Sequence, residues 1–241
     1  QWSSSAASDV YKRQKFMSIL SKSLERIKPS PTISVTQKAR ELKAKGADII
    51  SLGSGEPDFD TPDNVKSAAI EAIKKGQTKY TAVDGTLELK NAIISKFKKE
   101  NNLAYENNQI SVGAGGKQVI YNAFLATINS GDEVIIPSPF WVSYPDIVLL
   151  AGGIPKIIKC GEEDNFKLTA KNLKKNITQN TKWIIINSPG NPTGSCYSEQ
   201  EINELVDVLI EYPKILIMSD DIYEHIILSL IHISEPTRQS L

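Results

Sequence analysis

"WIIINSPGNPTG", Trp183 to Gly194, is an apolar run that stops at an asparagine and breaks into a turn of proline and glycine. Three consecutive isoleucines leave no alternation between inward and outward side chains. That pattern suits a short strand buried on both faces, as in a parallel sheet between helix layers. The same reading extends to "QISVG" (109–113), "EVIIP" (133–137), "PKIIK" (155–159) and "ILIMS" (215–219), all short and mostly β-branched.

Between and around these runs the apolar period changes to that of a helix. "TPDNVKSAAIEAIKKG" offers Thr61 as N-cap, Pro62 at the first helical position and Gly76 at the C-terminal cap, with Val65, Ala69, Ala72 and Ile73 on one face. "TLELKNAIISKFKKENN" repeats the pattern through Leu89, Ile93 and Phe97. "SEQEINELVDVLIEY" carries Ser198 and Glu201 as a capping box, then Ile202, Leu205, Val206, Leu209 and Ile210 along one side. Each is predicted to bury that face. Strand and helix alternate, so the class is α/β, with right-handed crossovers expected. Ahead of them, "TISVTQKARELKAKG" reads as a further helix and "SLGSGEPDFDTP" as a loop.

The bulk properties exclude more than they assign. The 241 residues hold 28 basic and 28 acidic side chains, so no net field favours nucleic acid or an anionic membrane. Two cysteines, Cys160 and Cys196, and two histidines, His225 and His232, make neither a disulfide framework nor a zinc set. With no signal-peptide pattern and no bilayer-length apolar run, a cytoplasmic protein is the expectation. "SSSAASDVYKRQ" and "LSLIHISEPTRQSL" share nothing with the middle and read as appended sequence. Residues 1–14 and 228–241 are therefore set aside, with Met17 as the expected native start and native sequence expected to continue past Ile226 or Ile227.

In an open α/β sheet, ligands gather at the carboxyl ends of the strands, and four of these ends carry polar or aromatic groups. "SVGAGGKQ" is a glycine-rich turn opening a helix, suited to a phosphate through its N–H groups, or simply a tight turn. It fails the dinucleotide fingerprint at Gln118, and the P-loop pattern at Ser111 and Gln118. Trp141 in "PSPFWVSYPD" offers a flat face for a ring, or packs in a core. Asn191 offers both an amide donor and an acceptor, or closes a local turn. Asp220 in "ILIMSDDIYEH" is a carboxylate at a buried strand end, where it needs a partner: a protonated ring nitrogen, a cation or a helix cap.

Taken together, "GEPDFDTP", "TKYTAVDG", "GGKQ", "PFWVSYP", "NSPGNPTG" and "SDDIYEH" resemble, in order and spacing, the class I aminotransferases of the bacterial aspartate aminotransferase branch. The resemblance runs from about Leu20 to Ile226. It implies the fold-type I architecture of enzymes using pyridoxal 5′-phosphate (PLP): an N-terminal arm and part of a small domain over 15–60, and a large PLP-binding domain over 61–227. By motif, Gly115, Gly116 and Lys117 lie at the cofactor phosphate. Trp141 stacks on the ring, Asn191 and Tyr223 bond its phenolic oxygen, and Asp220 pairs with its nitrogen. Trp141, Asn191 and Gly55 are the implied substrate contacts. Tyr80 is the implied reach to the neighbouring subunit's phosphate in a homodimer. Asp221 departs from the branch, which usually has glutamate there.

The implied reaction transfers an amino group between an L-amino acid, aspartate first, and 2-oxoglutarate. An aromatic or prephenate aminotransferase of the same fold is the near alternative. A nucleotide-binding oxidoreductase and a non-catalytic relative are the distant ones. The family's cofactor-linked lysine stands in a Ser-Lys segment a few dozen residues beyond the last of these motifs, with two further arginines. None of these is found in this sequence, so the chain is expected to be inactive, and no catalytic residue is assigned within it.

Overall fold

The computed structural model describes residues 20–50, 53, 55 and 59–226. The two terminal segments set aside above lie outside them, as do Met17, Ile227 and part of the "SLGSGEPDFDTP" loop.

Four of the five expected strands form one parallel sheet: β1 (Glu133–Ser138), β2 (Ile154–Lys159), β3 (Thr181–Asn187) and β4 (Leu216–Asp220). Their order is β2-β1-β3-β4, and all three pairings are parallel. The chain runs from β1 outward to β2, then returns to the other side of β1 for β3. That reversal places a crevice at the carboxyl ends of β1 and β3.

Among the described residues seven α-helices accompany the sheet: α1 (Pro31–Ala44), α2 (Asp63–Lys74), α3 (Leu87–Asn101), α4 (Gly116–Thr127), α5 (Ser143–Leu150), α6 (Ala170–Asn176) and α7 (Glu199–Ile210). Successive strand residues point to opposite faces, and the core divides accordingly. Val134, Ile136 and Ile185 pack with Phe124 of α4 and with Tyr144, Ile147 and Val148 of α5. Ile135, Ile184 and Ile186 pack with Leu173 of α6 and with Leu205, Val208 and Leu209 of α7. The triple isoleucine is explained by this covering: each face of β3 meets a helix layer. Phe124 is fully buried, with its ring edge-on to Trp183 at 5.5 Å. Phe124→Ala is expected to cost about 3–5 kcal/mol, measured as a shift in the urea midpoint; a loss below about 1 kcal/mol would be incompatible with this packing.

The helix boundaries follow their local chemistry. Ser198 and Glu201 form the expected reciprocal capping box of α7. Thr86 caps α3 by accepting from Leu89 N. Gly76 follows α2 with φ +73°, a conformation that glycine adopts freely.

Four expectations are corrected. Thr61 does not cap α2; Pro62, in extended conformation, occupies that position without a side-chain bond. The apolar face of α2 is not buried: Val65 and Ile73 are exposed, because no other described element covers them. On α3 Leu89 is exposed, and on α7 Ile210 is exposed while Val208 is buried instead. "QISVG" forms no strand. It follows a 3₁₀ turn at Asn107–Gln109, and Val112 N donates to Asp84 O rather than to a sheet neighbour. An extended segment becomes a strand only when another strand meets its N–H and C=O groups, and none among the described residues does so.

Candidate active site

Three strand ends and one helix start converge on an open pocket of about 740 Å³, a size typical of small-molecule sites. Gly115, Gly116, Lys117, Trp141, Asn191, Asp220 and Tyr223 all line it. Tyr80 and Gly55 do not. Tyr80 is fully exposed, and Gly55 is exposed in the loop before α2.

The glycine turn is built by contact and conformation. At Gly113 a Cβ would meet Val119 Cγ2 at 2.8 Å, so the turn closes onto α4 only without a side chain. Gly115 has φ +91°, which strains any other residue, and nothing lies within 4 Å of the place its Cβ would occupy. The first N–H groups of α4 lack partners inside the helix. They combine with the helix dipole to make an anion cradle at the pocket rim. Lys117 adds a cation, its Nζ standing 5.1 Å from the Trp141 ring centroid.

The opposite wall is a network of side chains. Asp220 ends β4, where Ile222 N donates to Oδ1 at 3.3 Å and the Tyr144 hydroxyl donates to Oδ2 at 2.5 Å. Asn187, directly across the β3–β4 pair, donates through Nδ2 to Asp220 O at 2.8 Å. Asn187 Oδ1 accepts from Asn191 N at 2.8 Å, and Asn191 Nδ2 donates to the Tyr223 hydroxyl at 3.3 Å. Trp141 stands edge-to-face with Tyr144 at 5.3 Å. Burial pushes the Tyr144 phenol far above its usual range, and the hydrogen bond to Asp220 and its charge push the same way. The hydroxyl is therefore a donor at any working pH.

Glu224 fastens the segment carrying Tyr223. It accepts from Lys96 Nζ at 2.7 and 2.8 Å and from Asn101 Nδ2 at 3.1 Å, both on α3. Tyr144, Asn187 and Glu224 are the members of this site that the sequence reading missed. The one available signal was spacing: Tyr144 follows Trp141 by three residues, about one helical turn.

The donor set fits a planar, phosphorylated, basic heterocycle. It offers an anion cradle, a flat aromatic face, an amide and a phenol 3.3 Å apart, and a carboxylate with acceptor capacity left over on both oxygens. Among the described residues, Glu100, Glu224 and His225 also lie within metal-chelating distance of one another, but Lys96 already neutralises Glu224. No helix among the described residues is long and apolar enough to cross a membrane.

Comparison with known proteins agrees with this geometry. The family profile for class I and II aminotransferases matches residues 47–235. An aspartate/prephenate aminotransferase of Cereibacter sphaeroides is 60% identical over 211 residues, which is 88% of this chain and 53% of that protein. The crystal structure of an aspartate aminotransferase from Rhizobium meliloti superposes with a TM-score of 0.85 at 45% identity, covering 91% of this chain and 55% of that one. An aspartate aminotransferase from Thermus thermophilus, solved with maleate, gives 0.86 at 40% identity, covering 92% and 58%. The chain thus spans about half the length of the relatives it matches.

Proposed function

The chain belongs to the class I and II aminotransferases, and from that premise we propose that the whole protein transfers an amino group between an L-amino acid and a 2-oxo acid. Aspartate is the proposed donor, 2-oxoglutarate the proposed acceptor, and prephenate the second oxo acid. The observation that carries this is the Asp220 carboxylate, held at the end of β4 by Tyr144 and backbone N–H, facing the same pocket as the glycine turn and Trp141.

Enzymes of this family use PLP, which when bound supplies an electron sink for the pair left behind as a substrate Cα–H is broken. Residues 115–117 hold its phosphate through backbone N–H groups. Trp141 covers one ring face. Asn191 and Tyr223 bond the phenolic oxygen, and Asp220 holds a proton on the ring nitrogen by placing a negative charge beside it. Trp141, Asn191 and Gly55 contact the substrate. Tyr80, exposed and not part of the lining of its own pocket, serves the neighbouring subunit of a homodimer. Residues 15–60 form the N-terminal arm and part of a small domain, and 61–227 the cofactor-binding domain. The lysine that links the cofactor and shuttles the proton is supplied from outside the segments described above.

Substrate choice is supported by charge. Aspartate, 2-oxoglutarate, prephenate and the maleate of the Thermus thermophilus structure all carry two carboxylates. The Lys117 ammonium at the pocket wall suits the second of them. In the whole protein, Lys117→Ala is expected to raise KM for aspartate about tenfold, in line with loss of one charge-assisted hydrogen bond. Initial rates against aspartate and phenylalanine test this. A wild-type enzyme preferring phenylalanine would overturn the dicarboxylate reading.

A further inference from the structure

We infer that Tyr144 is a positioning residue for the Asp220 carboxylate, holding it in the orientation that meets a ring nitrogen in the pocket. This rests on the PLP reading above. Tyr144 lies in the first turn of α5 and is 2% exposed, wedged between the β1–β3 face and Trp141. Its hydroxyl reaches Asp220 across 76 positions of sequence. A buried tyrosine ring packs equally well without its oxygen, and a buried hydroxyl needs a partner. Here that partner is the one carboxylate at the end of β4.

The geometry divides the work between the two carboxylate oxygens. Oδ2 accepts a hydrogen bond from the Tyr144 hydroxyl and Oδ1 one from the Ile222 N–H, so donors on two sides fix the plane of the group. Asn187 anchors the main chain of the same residue through its carbonyl. A carboxylate without the Tyr144 bond would be free to rotate about its terminal torsion, which is broad and roughly two-fold. Asp220 would then face the pocket in several orientations, with water competing for Oδ2. The phenol stays protonated, so it never repels the carboxylate. Its contribution is directional.

The test uses Tyr144→Phe, which removes one oxygen and keeps the ring. Pyridoxamine 5′-phosphate, which needs no lysine linkage, is titrated into the whole protein freed of cofactor and followed by tryptophan fluorescence. The analogue with a CH group in place of the ring nitrogen is titrated in parallel. Wild type is expected to prefer the pyridine ligand. Y144F is expected to weaken pyridine binding about tenfold, the scale of a hydrogen bond to a charged group, and to leave the CH analogue within about twofold. Circular dichroism should be unchanged. Equal weakening of both ligands, or of neither, would overturn the positioning role. The Asp220→Asn chain separates the two levels of inference. If folded wild type binds neither ligand, or shows no preference that D220N abolishes, the cofactor reading fails and this inference with it.

Discussion

Asp220→Asn in the whole protein is expected to lower kcat for aspartate by at least about 10²-fold, the scale on which one preorganised electrostatic contact acts in an active site. The argument is charge rather than shape. Asparagine keeps an oxygen to accept from Tyr144 but places no negative charge beside the ring nitrogen, so that nitrogen's proton is held less firmly during Cα–H cleavage. Alanine makes a poorer test. It leaves the buried Tyr144 hydroxyl without its acceptor, at about 1–3 kcal/mol, which would mix a stability loss with the catalytic one. The two variants should therefore split. Both lose activity, while the melting temperature falls clearly for Asp220→Ala and little for Asp220→Asn. A full rate in folded Asp220→Asn would remove Asp220 from the mechanism.

The 241-residue chain treated with PLP and then borohydride is expected to carry no stoichiometric adduct on any single lysine, and to transaminate nothing. The reason is where its lysines lie. Lys117 is the lysine lining the pocket among the described residues, and it belongs to the glycine turn, with its ammonium over the Trp141 ring. The other lysines engaged near the site have fixed tasks. Lys96 binds Glu224 at 2.7 Å, and Lys167 binds Glu201. Covalent catalysis needs an amine that reaches the reacting carbon and is activated there, and none of these is so placed. Peptide mapping of the reduced product is the measurement. One equivalent on Lys117 would show that the turn lysine takes the covalent role, and would overturn the assignment of that role to another segment.

Much of this architecture is legible in the amino-acid sequence. "WIIIN" and "EVIIP" announced buried parallel strands, because side chains without alternation have no solvent side. "PKIIK" and "ILIMS" are strands too, but lie at the sheet edges and are mostly exposed or half-buried. Asn191, Asp220, Tyr223 and Trp141 stood out because each follows a strand end, where an α/β sheet presents its ligands. The capping box at Ser198 was equally local, set by two residues three positions apart.

The failures share a different cause. The faces of α2 and α3 looked buried from their period, yet a period reports only which residues share a face. Whether Val65 or Leu89 is buried depends on what lies opposite. "QISVG" has strand composition, but pairing requires a neighbour elsewhere in the chain. Tyr144 carried no sequence signal of this bond, since nothing within ten residues reveals a carboxylate 76 positions away. The Glu224 anchor to Lys96, 128 positions apart, was invisible for the same reason.

By itself, then, the sequence determined the α/β class, the four parallel strands, the glycine turn and the identities of the strand-end residues, because hydrophobic period, turn chemistry and caps act over a few residues. That β2 and β4 are edge strands, exposed or half-buried along most of their length, it did not show. The tertiary structure alone decided that β3 lies beside β1, which helices cover each face of the sheet, and that Tyr144 holds Asp220. Those outcomes depend on packing between segments far apart in the chain, where each contact forms only once the layers have closed around it.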